Sequence, residues 1–347
     1  LMVGGGGWSA ETARLVGEFA QRTQIPVCTS FRCQDYIDNR NTAYVGHTGI
    51  AISASLTEQI QSADLLISMG ARLGELTTKG YSLIDIPNPS QRFVHIHAGA
   101  EELGRVYVPE LAINASAGSF ARALSQLNVP SSPRWSEWCQ QGRAAFEADL
   151  QPEETPGDVK IEQIVTWLSD NLGDQDVIAN GAGNYSGWVH RYYLFRGYRT
   201  QLAPTSGSMG YGVPAAVSAK LAAPESTVVC VAGDGCFMMT AQELATAVQH
   251  DLAIIYLVVN NSMFGTIRMH QERNYPGRLS ATALKNPDFA AMARSFGAHG
   301  ELVESTADFP AAFTRAKAAG KAALIELRVD QDALSPRLRL SDLTNRK

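Results

Sequence analysis

The sequence predicts an α/β protein built from two doubly wound parallel-sheet domains. Short apolar runs alternate with helical patterns, and the alternation occurs in both halves of the chain; a parallel sheet with crossover helices requires that order. The better-defined runs break at glycine, asparagine or serine, as strands do where they feed a turn. A chain of 347 residues has room for about two such domains.

The first domain is placed at residues 1–128. Residues 1–3 enter glycines 4–7, and a helix is expected over 10–22. Strands follow at 25–29, 64–69 and 92–97, with a weaker one at 111–114, and helices lie near 53–61 and 119–126. The glycine run invites comparison with a phosphate cradle at a helix N-terminus. Ser9 takes the third glycine position, however, and no acidic residue closes the second strand, which runs into Thr29-Ser30. A structural turn is therefore favoured over a bound dinucleotide. His95 and His97 share one strand face with no third ligand nearby, and they read as structural. At 129–157, Pro130, Pro133, Pro152 and Pro156 bracket Trp135, Trp138 and Phe146, which reads as an interdomain connection carrying one amphipathic helix.

The second domain is placed at 158–335, with an extended tail at 336–347. A helix over 160–171 precedes a strand at 176–180 that ends in Gly181-Ala182-Gly183-Asn184-Tyr185. A second turn, Thr205-Ser206-Gly207-Ser208-Met209-Gly210-Tyr211-Gly212, leads into an alanine-rich helix over 213–221. The run at 228–232 breaks at Gly233-Asp234-Gly235, a helix follows at 240–249, and the run at 254–259 ends in Asn260-Asn261. Strand, helix and strand make one βαβ unit, so both polar ends emerge on the same edge of a parallel sheet. Ligands of open α/β sheets bind at that edge. Residues 262–284 are polar and are expected to be irregular; helices at 288–295 and 307–317 flank a last strand at 322–327.

Composition narrows the function classes. With 45% apolar and 18% charged residues the chain reads as an ordinary globular protein, and a net charge of −5 gives no reason to expect nucleic acid or a membrane surface. No apolar run reaches the length that spans a bilayer, and the start has no basic segment of a secretory signal. The cysteines at 28, 33, 139, 230 and 236 form no CxxC and no even set, so neither a disulfide framework nor a zinc site is indicated, and a reducing cytoplasm is expected. The chain opens inside a strand, as a piece of a longer chain would.

Asp234 and Asn261 offer hard oxygen ligands of low total charge, a set Mg²⁺ accepts when a phosphate supplies further oxygens. Gly-Asp-Gly followed after a spacer by Asn-Asn resembles the signature of thiamine diphosphate enzymes, and the whole chain is similar to the acetolactate synthase-like members. The resemblance implies a central domain plus the domain that binds the cofactor's diphosphate. It makes Asp234, Asn261 and the Met263 backbone oxygen the Mg²⁺ ligands. Gly233, Gly235 and Cys236 would face the diphosphate, with Cys236 standing where many members have serine. Asn184 and Tyr185 occupy the place of a Gln-His pair near the phosphates, and Gly207, Ser208, Phe264 and Gly265 complete the cofactor-binding set. Met209 would prop the cofactor in its bent shape, and His270 would be a proton donor. His47 lies in a loop that approaches the active site in relatives.

The implied function is a thiamine diphosphate- and Mg²⁺-dependent 2-oxo acid decarboxylase and carboligase, a transferase or lyase acting on a small 2-oxo acid. Simple decarboxylation or C–C cleavage is the alternative, as is a cofactor-binding fragment that is inactive by itself. The family's activating glutamate lies in an N-terminal pyrimidine-binding domain that nothing here matches, and the full-length enzyme is expected to be a homodimer or homotetramer. The central domain reads Gly70-Ala71-Arg72-Leu73-Gly74-Glu75-Leu76 and keeps only Arg72 of the FAD-associated run, which counts against FAD. Phe264-Gly265-Thr266-Ile267 and His270 replace the strict synthase pattern of Gln-Gly-Met-Val and a later Trp, so a different acceptor pocket is expected.

Overall fold

The computed structural model describes residues 1–128 and 133–344 and divides into two compact units. The first comprises Leu1–Gln151 with Leu194–Gln201; the second comprises Pro152–Tyr193 with Leu202–Lys347. Pro130 and the ends of the expected connection and tail lie outside the described residues.

The first unit holds strands β1 (Met2–Val3), β2 (Val27–Thr29), β3 (Tyr44–His47), β4 (Leu65–Met69), β5 (Arg92–His97) and β6 (Leu111–Asn114). They form a parallel sheet in the order β3-β2-β1-β4-β5-β6. Its helices are α1 (Ala10–Thr23), α2 (Ala54–Gln61), α3 (Ala117–Ser125) and α4 (Ser136–Asp149). Ser9, Ser53 and Ser116 cap α1, α2 and α3, each accepting from a backbone N–H two or three residues into the helix. The sheet reverses direction at β1, and apolar side chains pack on both of its faces. The glycine run is explained by close packing. A Cβ on Gly4 would fall 1.8 Å from Ser30 Oγ, and one on Gly5 would fall 1.8 Å from the Gly70 carbonyl. His95 and His97 each engage backbone groups through the ring, at Ala71 and Gly99. α4 belongs to this unit: Phe146 meets Tyr44 edge-on at 5.1 Å, and the Trp135 indole donates to Thr23 O.

The second unit contains α5 (Ile161–Asn171), β7 (Val177–Asn180), α6 (Ser186–Tyr192), β8 (Gln201–Leu202), α7 (Gly212–Ala222) and β9 (Val228–Gly233). There follow α8 (Asp234–Phe237), α9 (Glu243–Gln249), β10 (Ile254–Asn260), α10 (Gly265–Asn274), α11 (Phe289–Ser295), β11 (His299–Val303), α12 (Phe309–Ala318) and β12 (Ala323–Arg328). Its sheet runs β11-β12-β10-β9-β7-β8. β9 and β10 are buried along their whole length, as strands covered on both faces must be.

Two expectations fail here, and one helix boundary moves. The stretch at 262–284 contains α10, whose polar sequence hides an Arg268–Glu272 ion pair of 2.8 Å one turn apart and an apolar face built around Met269. The helix expected over 240–249 is present as α9, starting at Glu243, and a short α8 precedes it at Asp234–Phe237. The tail is folded rather than extended: β13 (Ala333–Ser335) and β14 (Leu338–Arg339) pair antiparallel and lead into α13 (Leu340–Thr344), because Leu334 and Leu343 are buried beside Met263 and Met269. Among the described residues no helix is long and apolar enough to cross a membrane.

Candidate functional site

β7, β9 and β10 run parallel and in register, with Val177 beside Val228 and Val228 beside Ile254. Their C-terminal ends therefore deliver three turns to one edge of the sheet. A cavity of about 270 Å³ opens there. Asn184, Tyr185, Gly207, Met209, Gly233, Asp234, Gly235, Cys236, Asn261, Met263, Phe264 and Gly265 all line it. Ser208 and His270 do not: both are exposed, Ser208 bonded to Ser206 Oγ at 2.8 Å and His270 on the outer side of α10. His47 ends β3 in the first unit and is not among the lining residues. The sequence reading missed part of the wall. Ile161, Trp188, Val329, Ala333 and Leu334 close the cavity, and the last three follow the last expected strand of that domain.

The glycines of Gly-Asp-Gly are required by two aromatic rings. A Cβ on Gly233 would lie 2.7 Å from the Tyr185 ring, and one on Gly235 would lie 2.4 Å from the Phe264 ring. Cys236 does not act as a donor at its side chain. Its Sγ accepts from Tyr185 Oη at 3.1 Å and from the Gly210 N–H at 3.2 Å, joining three turns at one sulfur. Gly181 makes room for it, since a Cβ there would stand 2.4 Å from that sulfur. Asn184 is tied to the start of α10: its N–H donates to Thr266 Oγ1, and that hydroxyl donates to Asn184 Oδ1.

Asp234 is 3% exposed, and burial raises its carboxyl pKa above the ordinary value. Hydrogen bonds oppose that shift, from the Gly235 N–H at 2.8 Å to Oδ1 and from Asn286 Nδ2 at 2.7 Å to Oδ2. The Asn-Asn pair folds as two successive side-chain turns. Asn260 Oδ1 accepts from the Ser262 N–H and Asn261 Oδ1 from the Met263 N–H, with Ser262 in the left-handed region at φ 55°. Both Asn261 and Met263 thereby come to the cavity beside Asp234. Among the described residues no cluster of three or more His, Cys, Asp or Glu could hold a metal. One carboxylate, one carboxamide and one carbonyl are all-oxygen and carry a single negative charge. That set fits Mg²⁺ completed by phosphate oxygens and does not fit a soft metal held by protein alone.

The sequence profile of the central domain of thiamine pyrophosphate enzymes matches residues 1–124, and that of their C-terminal, thiamine pyrophosphate-binding domain matches residues 181–327. The chain belongs to the thiamine pyrophosphate enzymes. Among curated relatives, the acetolactate synthase large subunit of Corynebacterium glutamicum is 31% identical over 310 residues, 86% of this chain and 49% of the relative. The isozyme 2 large subunit of Escherichia coli is 28% identical, over 87% of this chain and 54% of the relative. The mitochondrial catalytic subunit of Saccharomyces cerevisiae is 28% identical, over 93% of this chain and 49% of the relative. The chain spans about half the length of the curated relatives it matches.

Proposed function

We propose that the chain is the central and diphosphate-binding part of a Mg²⁺- and thiamine diphosphate-dependent 2-oxo acid decarboxylase and carboligase of the acetolactate synthase type. The observation that carries this reading is the buried Asp234 carboxylate opening, with Asn261 and Met263, on a cavity walled by three strand-end turns. Asp234, Asn261 and the Met263 carbonyl would hold the metal, and the turn backbone at Gly235 and Cys236 would face the diphosphate. Bound thiamine diphosphate supplies the nucleophile and electron sink for cleaving the bond beside a 2-oxo acid's carbonyl. Met209, which lines the cavity and is 37% exposed, would support the cofactor's bent shape. Phe264, Val329 and Leu334 exclude water from the inner wall. The names of the relatives support a carboligation, and the segment at 264–267 sets this chain's acceptor pocket apart.

The test is calorimetric titration of the full-length protein with thiamine diphosphate at fixed Mg²⁺. Asp234→Ala is expected to abolish Mg²⁺-dependent binding. Unchanged affinity would remove the metal assignment. Product analysis with a panel of 2-oxo acids then separates carboligation from simple decarboxylation.

A further inference from the structure

A buried polar chain runs behind the metal-ligand face, through residues that have no place in the cofactor-binding set. Asn286, in the loop before α11, donates from one nitrogen to Asp234 Oδ2 at 2.7 Å and to Asn260 Oδ1 at 2.9 Å. Asn260, 7% exposed, donates in turn to Glu326 Oε1 at 2.8 Å. Glu326, on β12 and 1% exposed, also accepts from the Phe289 N–H at 3.2 Å. The ends of β9 and β10, the strand β12 and the start of α11 are thereby joined through two side-chain amides and one carboxylate.

We propose that Asn286 is a positioning residue for the metal site, holding the Asp234 carboxylate at a fixed rotation while Glu326 holds Asn260 in the same frame. This inference rests on the reading of Asp234 as a Mg²⁺ ligand. The physical reason is directional. A carboxylate at the end of a strand can turn about its Cβ–Cγ bond, and metal affinity needs the oxygen lone pairs already aimed. The Gly235 N–H fixes one oxygen, and Asn286 fixes the other. The backbone N–H groups of Ser262 and Met263 act on the same carboxylate and add to its fixed setting. Only a neutral donor can do this at Asn286: a carboxylate would bring a second negative charge against Asp234, and a cation would compete with the metal. Partners of this kind behind a ligand change metal affinity by about 10–100-fold when removed.

The experiment is a Mg²⁺ titration of thiamine diphosphate binding by calorimetry in the full-length protein, comparing wild type, Asn286→Ala, Asn286→Ser and Asp234→Ala. Folding of each is checked by circular dichroism and thermal unfolding without cofactor. Both Asn286 variants are expected to need 10–100-fold more Mg²⁺ for half-maximal binding and to recover wild-type binding at saturating Mg²⁺. Asp234→Ala is expected not to recover. Wild-type Mg²⁺ dependence within twofold in a folded Asn286 variant, with Asp234→Ala defective, would overturn this proposal and leave the cofactor reading intact. Absence of Mg²⁺-dependent binding in the wild type would overturn both. Failure of both Asn286 variants to fold would make Asn286 a residue of the fold and overturn the positioning role.

Discussion

Asp35 offers a test of the first unit's energetics that needs no cofactor. The residue is 5% exposed, and its Oδ2 accepts from the N–H groups of Thr200 at 3.1 Å and Gln201 at 3.3 Å. Burial outweighs these bonds and raises its pKa from 3.8 to about 7. The native state therefore binds the proton more tightly than the unfolded chain. Below pH 3.8 both states are protonated and the group contributes nothing to the difference. Between 3.8 and about 7 the unfolded chain ionises first, and stability falls as pH rises. A difference of about three units corresponds to roughly 4 kcal/mol lost across that window and constant above it. Asp35→Asn keeps an oxygen that accepts from Thr200 and Gln201 and removes the titration. The variant is expected to match the wild type near pH 4 and to exceed it by up to about 4 kcal/mol at pH 8. Urea unfolding of both proteins at several pH values, read on the first unit's transition, measures the gap. A gap that stays constant with pH, or one that widens toward acid, refutes the reasoning.

Two further perturbations address the cavity. Gly235→Ala would place a Cβ 2.4 Å from the Phe264 ring, and moving that ring is expected to cost about 1–3 kcal/mol of stability, seen in thermal unfolding, together with weakened cofactor binding in calorimetry. A fully stable variant with normal affinity would show that the ring moves freely. His270→Ala is expected to leave thiamine diphosphate affinity within about twofold, because the ring is exposed on α10 and outside the cavity lining; a larger loss by calorimetry would bring His270 back to the site.

The sheet edge was legible because β7, β9 and β10 are long apolar runs that end in turn residues, and such runs have one stable use in an alternating chain. β3 and β11 were not. Each is an outer strand of its sheet, and Gly46 and Gly300 interrupt their apolar character. α10 was hidden because its stability comes from the Arg268–Glu272 pair and from packing against the chain's last residues, neither of which appears as a local apolar period. Asn286 left no local signal. Glu326 did leave one: a single carboxylate inside the apolar run at 322–327 must be buried, and a buried charge requires partners. Read that way, Glu326 points to a polar network at the end of the neighbouring strand, where Asn260 stands.

The two asparagines of the motif perform different tasks, and the hydrogen bonds say which. Asn261 lines the cavity and uses its oxygen to fold Met263 into place. Asn260 is absent from the lining and spends both ends of its amide behind the site. It donates to Glu326 and accepts from Asn286 and Ser262. A carboxamide serves both directions at once, with donor and acceptor on separate atoms of one planar group. Aspartate at 260 would have nothing to donate and would set a charge against Glu326, while alanine would remove one partner each from Glu326 Oε1 and Asn286 Nδ2, which keep Arg328 and Asp234, at about 0.5–1.5 kcal/mol for each lost hydrogen bond. The requirement for a second asparagine beside the cavity-facing one therefore follows from the packing of β10 against β12 and from the donor that Asn286 needs to place.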